Sequence, residues 1–192
     1  MRPGLSRRGL AGLALLAGLS CLPQSAPRAS EAEAWVALGQ GAIVLFRHAH
    51  APGGGDPPGM RLGDCASQRN LDGTGRAQAR RIGEAFRSRG IPVGRVLTSQ
   101  WCRTRETAEL AFPGRKEEEP AFNSFFDDRS KGPGQTAAAR QVLKGWRGPG
   151  ALVVSTHQVN ITGLTGIVPA SGEGLVVQLE GDTVRVLGRI KP

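Results

Sequence analysis

The stretch IVLFRHAHAPGGGDPPG, residues 43–59, joins a predicted buried strand to a loop rich in glycine and proline. The preceding Ala42 and the first four residues are apolar, which is typical of a short β-strand buried on both faces. Arg47 and His48 stand where this strand ends, and the glycines and prolines that follow indicate a loop. A cation and an imidazole at this position either decorate the sheet edge or form the floor of a site.

Two other apolar segments also end in polar, reactive residues. RVLTS, residues 95–99, is followed on the next predicted helix by Arg103, and ALVVSTH, residues 151–157, ends in His157. In parallel α/β sheets the carboxyl ends of the strands form the crevice that binds ligands. We therefore predict that two arginines and two histidines meet at one edge of a sheet.

The segments between these strands have helical character. Uniformly apolar strands separated by helices indicate a largely parallel sheet covered on both faces. A Gly-Asp turn near the carboxyl terminus separates two alternating segments and predicts a hairpin. We predict an α/β fold, a three-layer α/β/α sandwich with a mostly parallel central sheet and a C-terminal β-hairpin. The predicted helices cover residues 71–90, 103–112 and 135–146, and the hairpin strands cover residues 174–179 and 183–190.

Residues 1–34 have the layout of an export signal: a basic start, an apolar run from Leu10 to Leu19, and then small and polar residues. The run is too short to span a bilayer of about 30 Å as a helix. SRRGLA, residues 6–11, resembles a twin-arginine signal. We predict export, to the periplasm, with cleavage after Ala34. A lipid anchor at Cys21 is a less favoured alternative.

Residues 35–192 are long enough to form one domain with its own core, and we predict no transmembrane helix in this part. The whole chain has a formal net charge of +9; the leader contains four basic and two acidic residues, which leaves +7. This charge suits an anionic substrate or an anionic envelope surface. Basic runs and zinc-ligand spacings are absent and aromatic residues are few, so we predict no nucleic-acid partner. The oligomeric state is not readable from the sequence.

The four polar side chains at the predicted strand ends suit a tetrahedral anion. Arginine offers a rigid fork of donors that matches phosphate oxygens. Imidazole can attack phosphorus, hold a proton or donate a hydrogen bond. The competing use of histidine is metal binding, but the chain has only His48, His50 and His157, the arginines would repel a cation, and no carboxylate stands at ligand spacing. We predict no metal and no cofactor.

Four segments in order resemble the histidine phosphatase superfamily, which includes phosphoglycerate mutases and acid phosphatases. They are LFRHAH (45–50), NLDGTGRAQARRIGEAF (70–86), TSQWCRTRETAEL (98–110) and VVSTHQVNITGLTG (153–166). The short Arg-His signature is weak by itself, but the ordered series is specific, and the resemblance runs from about residue 42 to residue 179. It implies a phosphoglycerate mutase-like fold and a phosphohistidine intermediate.

The resemblance also implies a role for each matching residue. His48 would be the nucleophile, and Arg47 and Arg103 would hold the phosphoryl oxygens. His157, as an imidazolium, would stabilise the charge of the transition state. Asn70 also lies in a segment like that of the family; it would either bind the substrate or cap its own loop.

The general acid is harder to assign, because the positions that supply it in relatives carry other residues. Ser124 stands where many relatives have glutamate, and Gln158 stands where the acid phosphatases have aspartate. Asp128 is the expected acid, with Asp127 as the alternative. Both could instead form ion pairs within their loop, and some relatives that cleave good leaving groups use no acid.

Two cysteines remain after the leader, Cys65 and Cys102. An oxidising compartment permits one disulfide between them, and two free thiols are the alternative. Because Cys102 precedes Arg103 and Cys65 lies in the loop after His48, a disulfide would hold that loop over the site. A thiol redox protein is a disfavoured hypothesis, because the chain has no C-x-x-C motif.

The sequence thus predicts an exported, metal-independent phosphatase that hydrolyses phosphomonoesters through a phosphohistidine at His48. Its expected partner is a phosphorylated small molecule, for example an envelope sugar phosphate. Two alternatives stay open: a phosphate-binding module that has lost turnover, and a phosphohistidine-type phosphatase without a general acid. A mutase is disfavoured, because the phosphorylated intermediates that mutases use are cytosolic.

Overall fold

A computed structural model describes residue 1 and residues 30–192. The twin-arginine motif, the apolar run and Cys21, which belong to the predicted export signal, lie outside the described residues. Within the part of the chain that the structure describes, no helix is long and apolar enough to cross a membrane.

Eleven main elements follow one another from residue 31 to residue 190. The helices are α1 (Glu31–Gly39), α2 (Gly73–Ser88), α3 (Cys102–Ala111), α4 (Gly132–Lys144) and α5 (Gln158–Thr165). The strands are β1 (Ile43–Arg47), β2 (Val93–Thr98), β3 (Lys116–Glu118), β4 (Ala151–Thr156), β5 (Gly174–Glu180) and β6 (Thr183–Ile190). Short 3₁₀ turns at residues 65–67, 120–122 and 129–131 interrupt the loops.

The six strands form one sheet in the order β3-β2-β4-β1-β5-β6. Strands β3, β2, β4 and β1 are parallel, and β5 and β6 are antiparallel to their neighbours. The predicted α/β class and the C-terminal hairpin are confirmed. The sheet order has one consequence for the site: β4, late in the sequence, lies between β1 and β2.

Alternate residues of the central strands face two separate cores, as the period of a β-strand requires. In β1, Val44 and Phe46 pack with α1, α2 and α3, whereas Ile43 and Leu45 pack with α4 and α5. All four side chains are at most 5% exposed. Burial of a large apolar side chain contributes about 1.5–3 kcal/mol, so both faces of the sheet stabilise the three-layer sandwich.

Helix α1 is part of the first core layer. Ser30 and Glu33 form a reciprocal capping box that satisfies donors at its start. Ala34 is fully buried, and the Trp35 ring lies edge-on to Phe86 with centroids 5.2 Å apart. Cleavage after Ala34 would therefore remove the first turn of a packed helix; the cleavage site itself stays a prediction.

The bounds of α2, α3 and α4 differ from the predicted ones by one to three residues at each end. Asp72 is the N-cap of α2, and its side chain accepts a hydrogen bond from Gly75 N at 2.7 Å. Helix α4 begins three residues before the predicted start. The sequence analysis predicted neither α1 nor α5, nor the three-residue strand β3.

Helices α2 and α3 pack closely against each other at Gly83. A Cβ atom built on Gly83 would lie 2.0 Å from the carbonyl oxygen of Ala111, a distance that real Cβ atoms do not reach. The missing side chain therefore lets the two helices pack, and this contact supports the helix that carries Arg103.

We predict that Gly83→Ala lowers the free energy of unfolding by about 1–3 kcal/mol, because the new methyl group must push α3 away from α2. Gly134→Ala is the matched control: Gly134 is also helical, but nothing lies within 4 Å of the place that its new methyl group would take. The control should be neutral or stabilising. Urea denaturation measures both, and equal stability of the two variants would contradict the close contact.

Candidate active site

The register of the central strands brings the polar strand ends together. Because β4 lies between β1 and β2, its carboxyl end borders both neighbours. His48 N donates to the carbonyl oxygen of Thr156 at 2.9 Å, and Ser99 N donates to that of Ser155 at 3.2 Å. His157, directly after β4, consequently lies between the ends of β1 and β2.

A cavity of ≈ 150 Å³ opens at this edge of the sheet. The four side chains predicted to meet there, those of Arg47, His48, Arg103 and His157, all line it. The other lining residues are Gly53, Gly54, Gly55, Asp56, Arg69, Ser124, Phe126, Gln158 and Val159.

His48 is 3% exposed, and the bonds of its ring define its tautomer. Nδ1 lies 2.8 Å from the carbonyl oxygen of Ala49 and donates to it, so Nε2 holds the lone pair. Thr107 Oγ1 accepts from Ala49 N at 3.0 Å, a second bond that holds Ala49 in place. Burial, and then the charge of Arg103, lower the pKa of His48 from 6.5 to about 3. The ring is therefore a neutral imidazole whose Nε2 has a free lone pair.

His157 is held by two partners that differ in role. Its Nε2 lies 2.8 Å from Ser99 Oγ, and its Nδ1 accepts from Arg103 Nη2 at 3.4 Å. Burial, and then Arg103, lower the pKa of His157 well below its usual value. These neighbours alone therefore disfavour the charged, imidazolium form of His157 that the resemblance implies. A nearby anion would favour it.

Arg103 and Asp56, which both line the cavity, form a buried ion pair. Nη1 lies 2.6 Å from Oδ1 and Nη2 lies 3.1 Å from Oδ2, and the two side chains are 3% and 4% exposed. Trp101 Nε1 also donates to Oδ2 at 2.9 Å, and Arg69 N donates to Oδ1 at 3.2 Å. Burial acts to raise the pKa of Asp56, but the bonds from Arg103 and Trp101 hold it below its usual value.

Arg69 fixes the glycine-rich loop that carries Asp56. Its Nε donates to the carbonyl oxygen of Gly55 at 2.7 Å, and its Nη1 donates to that of Ala51. Gly53 and Gly55 have φ angles of 84° and 73°, in the left-handed region that glycine adopts without strain. The loop therefore turns back to the strand ends and lines the cavity.

A disulfide joins Cys65 to Cys102, with a Cα–Cα distance of 5.7 Å. Of the two states that the sequence left open, the structure has the bridge. Beside it, Cys102 N donates to Gln68 Oε1 at 2.9 Å. These links tie the segment that contains Arg69 to the first turn of α3, which contains Arg103.

The structure does not bring Asn70 into the cavity. Its Nδ2 donates to the carbonyl oxygens of Cys65 and Gln68, at 2.6 and 3.0 Å. The side chain lines a different pocket, beside the disulfide. Of the two roles considered for Asn70, this geometry fits the loop cap rather than the substrate ligand. His50 also lies apart, and its Nδ1 is 3.1 Å from Asp72 Oδ2.

Asp128, the expected general acid, also lies outside the cavity lining. Its exposed carboxylate caps the 3₁₀ turn at residues 129–131, accepts from Ser130 Oγ at 2.5 Å and pairs with Lys131 at 3.2 Å. The bond from Ser130, and then that from Lys131, lower the pKa of Asp128, which opposes proton donation. Asp127 is exposed and absent from the lining too. The structure therefore has the alternative considered for this acidic segment, an ion pair within the loop, between Asp128 and Lys131.

The two positions at which relatives supply the acid do line the cavity, but Ser124 and Gln158 occupy them. Asp56 is the one carboxylate among the described lining residues. Sequence reasoning missed both Asp56 and Arg69. Two sequence features could have indicated them: Asp56 is the single acidic residue inside PGGGDPPG, and Arg69 is a cation directly before Asn70.

Potential metal ligands do not cluster in the described part of the chain. Over residues 30–192, no three His, Cys, Asp or Glu side chains lie together in a way that could hold a metal ion.

We predict that His48 stays neutral, with its proton on Nδ1, from pH 7 to about pH 4, because burial and Arg103 lower its pKa to about 3. The unfolded chain protonates this imidazole near pH 6.5, so acidification from pH 6.5 towards pH 3 lowers the free energy of unfolding. Nitrogen-15 spectra of the imidazole rings, assigned with His48→Gln, measure the tautomer. A proton on Nε2, or protonation near pH 6.5, would contradict the prediction.

We also predict that the double variant Cys65→Ser/Cys102→Ser loses about 2–4 kcal/mol of unfolding free energy, because the bridge closes a loop across a sequence separation of 37. Guanidinium denaturation with and without dithiothreitol measures the effect. The reductant should destabilise the wild type by a similar amount and leave the double variant unchanged. A wild type that is insensitive to reductant would argue against the bridge.

Comparison with known proteins relates this geometry to a family. The sequence profile described as "Histidine phosphatase superfamily (branch 1)" matches residues 43–123. That segment contains Arg47, His48, Asp56, Arg69 and Arg103. No curated protein matches the chain significantly.

Solved structures of several enzymes share the fold over most of the chain. Phosphoglycerate mutase from Thermus thermophilus has 18% identity and a TM-score of 0.55, and the match covers 77% of this chain and 97% of that one. The protein histidine phosphatase SixA complexed with tungstate has 17% identity, a TM-score of 0.53 and coverage of 78% and 96%. An Entamoeba histolytica phosphoserine phosphatase mutant in complex with phosphoserine has 12% identity, a TM-score of 0.51 and coverage of 77% and 95%. The profile match and the shared phosphoglycerate mutase-like fold confirm that this chain resembles the histidine phosphatase superfamily.

Proposed function

We propose that this protein is a phosphatase that moves the phosphoryl group of a phosphomonoester first to His48 and then to water. The observation that carries the proposal is the state of His48. Its Nδ1 is committed to the carbonyl oxygen of Ala49, so Nε2 has the lone pair inside a cavity lined by arginines. A neutral imidazole with this tautomer is a competent nucleophile towards phosphorus.

The charge of the cavity suits a phosphoryl dianion. Three guanidiniums, those of Arg47, Arg69 and Arg103, face one carboxylate, so the lining has a surplus of two positive charges. The Nε atoms of Arg47 and Arg103 are buried and have no acceptor among the described residues. Unpaired buried donors are costly, and phosphoryl oxygens would satisfy them with charge-assisted hydrogen bonds.

The reaction then consists of two displacements at phosphorus. In the first, Nε2 of His48 attacks, the phosphorus–nitrogen bond forms and the ester oxygen leaves. In the second, water attacks the phosphohistidine and the lone pair returns to Nε2. Positioning and electrostatic stabilisation by the arginines supply most of the rate gain. The phosphoryl charge favours protonation of His157, which then donates to the phosphoryl oxygens.

Hydrolysis is proposed rather than transfer to a second substrate, although the superfamily includes both phosphatases and mutases. The predicted export signal supports hydrolysis, because the phosphorylated intermediates of mutases are cytosolic. A periplasmic location is part of this proposal and depends on residues 1–34.

The substrate class that we propose is a sugar phosphate of the cell envelope. Phe126 lines the cavity and is 46% exposed, so its ring is available to the part of the substrate beyond the phosphoryl group. Arg129 lies over this ring, with Cζ 4.8 Å from the centroid. An exposed aromatic face suits the apolar face of a sugar ring, and the surrounding cations suit an anionic envelope molecule.

A second candidate is a phosphate-binding module without turnover. It is favoured by one observation: the cavity positions of Ser124 and Gln158 both lack the carboxylate that relatives use. An aryl phosphate separates the two functions, because its leaving group needs little protonation. Turnover of such an ester by the full-length protein supports the phosphatase.

We predict that His48→Ala abolishes hydrolysis of para-nitrophenyl phosphate and removes the acid-labile phosphoenzyme, because no nucleophile remains. Arg103→Ala should lower the rate on the order of 10²-fold or more, through lost stabilisation of the transition state. Absorbance at the nitrophenolate band and trapping with radiolabelled substrate measure the two effects.

The control for these variants is His50→Ala, which removes an exposed imidazole that does not line the cavity. It should keep the wild-type rate. Labelling of His48→Ala at the wild-type level would refute the assignment of the nucleophile, and a wild-type protein that binds phosphate without turnover would favour the binding module.

A further inference from the structure

We propose that Asp56 is the acid–base catalyst of this cavity: it protonates the oxygen of the leaving group and later accepts a proton from the attacking water. This inference rests on the proposed phosphatase function. It assigns the general acid to the loop after β1, a place from which neither the sequence pattern nor the family resemblance predicted it.

The first argument is the composition of the cavity wall. A leaving alkoxide needs a proton donor within hydrogen-bond reach. Asp56 is the one carboxyl group among the described lining residues, and Ser124 and Gln158 cannot replace it as acids. Asp128 is turned to Ser130 and Lys131 instead.

The second argument is the placement of Asp56 relative to the nucleophile. His48 stands at the end of a central strand, whereas Asp56 belongs to the loop that turns back to the cavity. An in-line displacement puts the leaving oxygen on the side of phosphorus opposite Nε2. Asp56 lines the same cavity from a different element than His48, so its carboxyl group is the candidate for that side.

The third argument is that substrate binding itself would protonate Asp56. Its carboxylate and a phosphoryl group are both anions that compete for the Nη donors of Arg103. The other charged or titratable groups that line the cavity are Arg47, Arg69, His48 and His157. A dianion among these cations offsets their attraction for the carboxylate and raises the pKa of Asp56 from its lowered value.

The proposed steps balance. In the first, Nε2 bonds to phosphorus, the phosphorus–oxygen ester bond breaks, and the Asp56 proton goes to the departing oxygen, which leaves as an alcohol. In the second, a water oxygen bonds to phosphorus, the phosphorus–nitrogen bond breaks, and one water proton returns to Asp56. Ester and water become alcohol and inorganic phosphate, and the enzyme is unchanged.

The test compares two esters that share a ring and differ in their need for an acid. The leaving group of para-nitrophenyl phosphate departs unprotonated, whereas that of para-nitrobenzyl phosphate is an alkoxide. Rapid mixing with an alkaline quench, which preserves phosphohistidine, measures the rate of phosphohistidine formation on the full-length protein. For Asp56→Asn we expect a loss of about 10²–10⁴-fold with the benzyl ester and less than about 10-fold with the phenyl ester.

Equal losses with both esters would overturn the proposal, because they would mean that Asp56 only orders Arg103. Unchanged rates with both esters would overturn it too. Since Asp56→Asn leaves Arg103 without its partner, Asp56→Glu is the second variant. Asp56→Glu keeps a carboxyl group. The ratio of its rate with the benzyl ester to its rate with the phenyl ester should therefore stay near the wild-type ratio, even if both rates fall. A ratio equal to that of Asp56→Asn would contradict the role of Asp56 as the acid.

Two matched variants complete the design. Asp128→Asn removes the competing carboxylate and Asp182→Asn removes an exposed one that pairs with Lys144; both should keep the wild-type ratio. A selective loss with the benzyl ester in Asp128→Asn would overturn the assignment of Asp56. If the wild type forms no phosphohistidine from either ester, the proposed function fails and the acid–base role of Asp56 fails with it. If the wild type does form phosphohistidine, the ratios of the benzyl-ester to phenyl-ester rates test the role of Asp56 alone.

Discussion

The buried ion pair between Arg103 and Asp56 is the interaction on which the rest of the site depends. Two charges out of water are costly unless each is paired and hydrogen-bonded, and here Trp101 and Arg69 complete the bonding of the carboxylate. Burial, and then the charge of the same guanidinium, lower the pKa values of His48 and His157, so both imidazoles are neutral. The Arg103 side chain therefore acts on His48, on His157 and, through Asp56, on the glycine-rich loop.

The surrounding scaffold holds this pair in place from three directions. The disulfide ties the loop segment to α3, Arg69 bonds two carbonyl groups of the glycine-rich loop, and the close α2–α3 contact at Gly83 supports the helix of Arg103. Reactive groups held by such a supporting shell need little reorganisation when charge develops. The glycine-rich loop after β1, for which the sequence predicts no regular structure, is therefore held by several bonds in the folded protein.

The sequence predicted the groups at the sheet edge well, because apolar strands and their polar ends have a clear pattern. Arg47, His48 and His157 follow from strand ends, and Arg103 follows from the helix after β2. The position of β4 between β1 and β2 is a tertiary fact without a local signal. Asp56 had no periodicity to mark it, and Asn70, next to Arg69, was assigned because its segment resembled the family. Asp128 was chosen because it lies a few residues after Ser124 in the sequence. Sequence separation does not show that the Asp128 side chain lies outside the cavity.

The order of the strands has a consequence for the assembly of the protein. Strand β4 must be inserted between β1 and β2, although about fifty residues of chain separate it from β2. Until residues 151–156 are added, β1 and β2 have no shared neighbour, and the ends that carry His48 and Ser99 cannot be brought together by the sheet. Such long-range parallel pairing forms late and slowly. A nascent chain that stops after residue 123 contains His48, the three arginines and Asp56, but it still lacks β4 and His157, which complete the cavity.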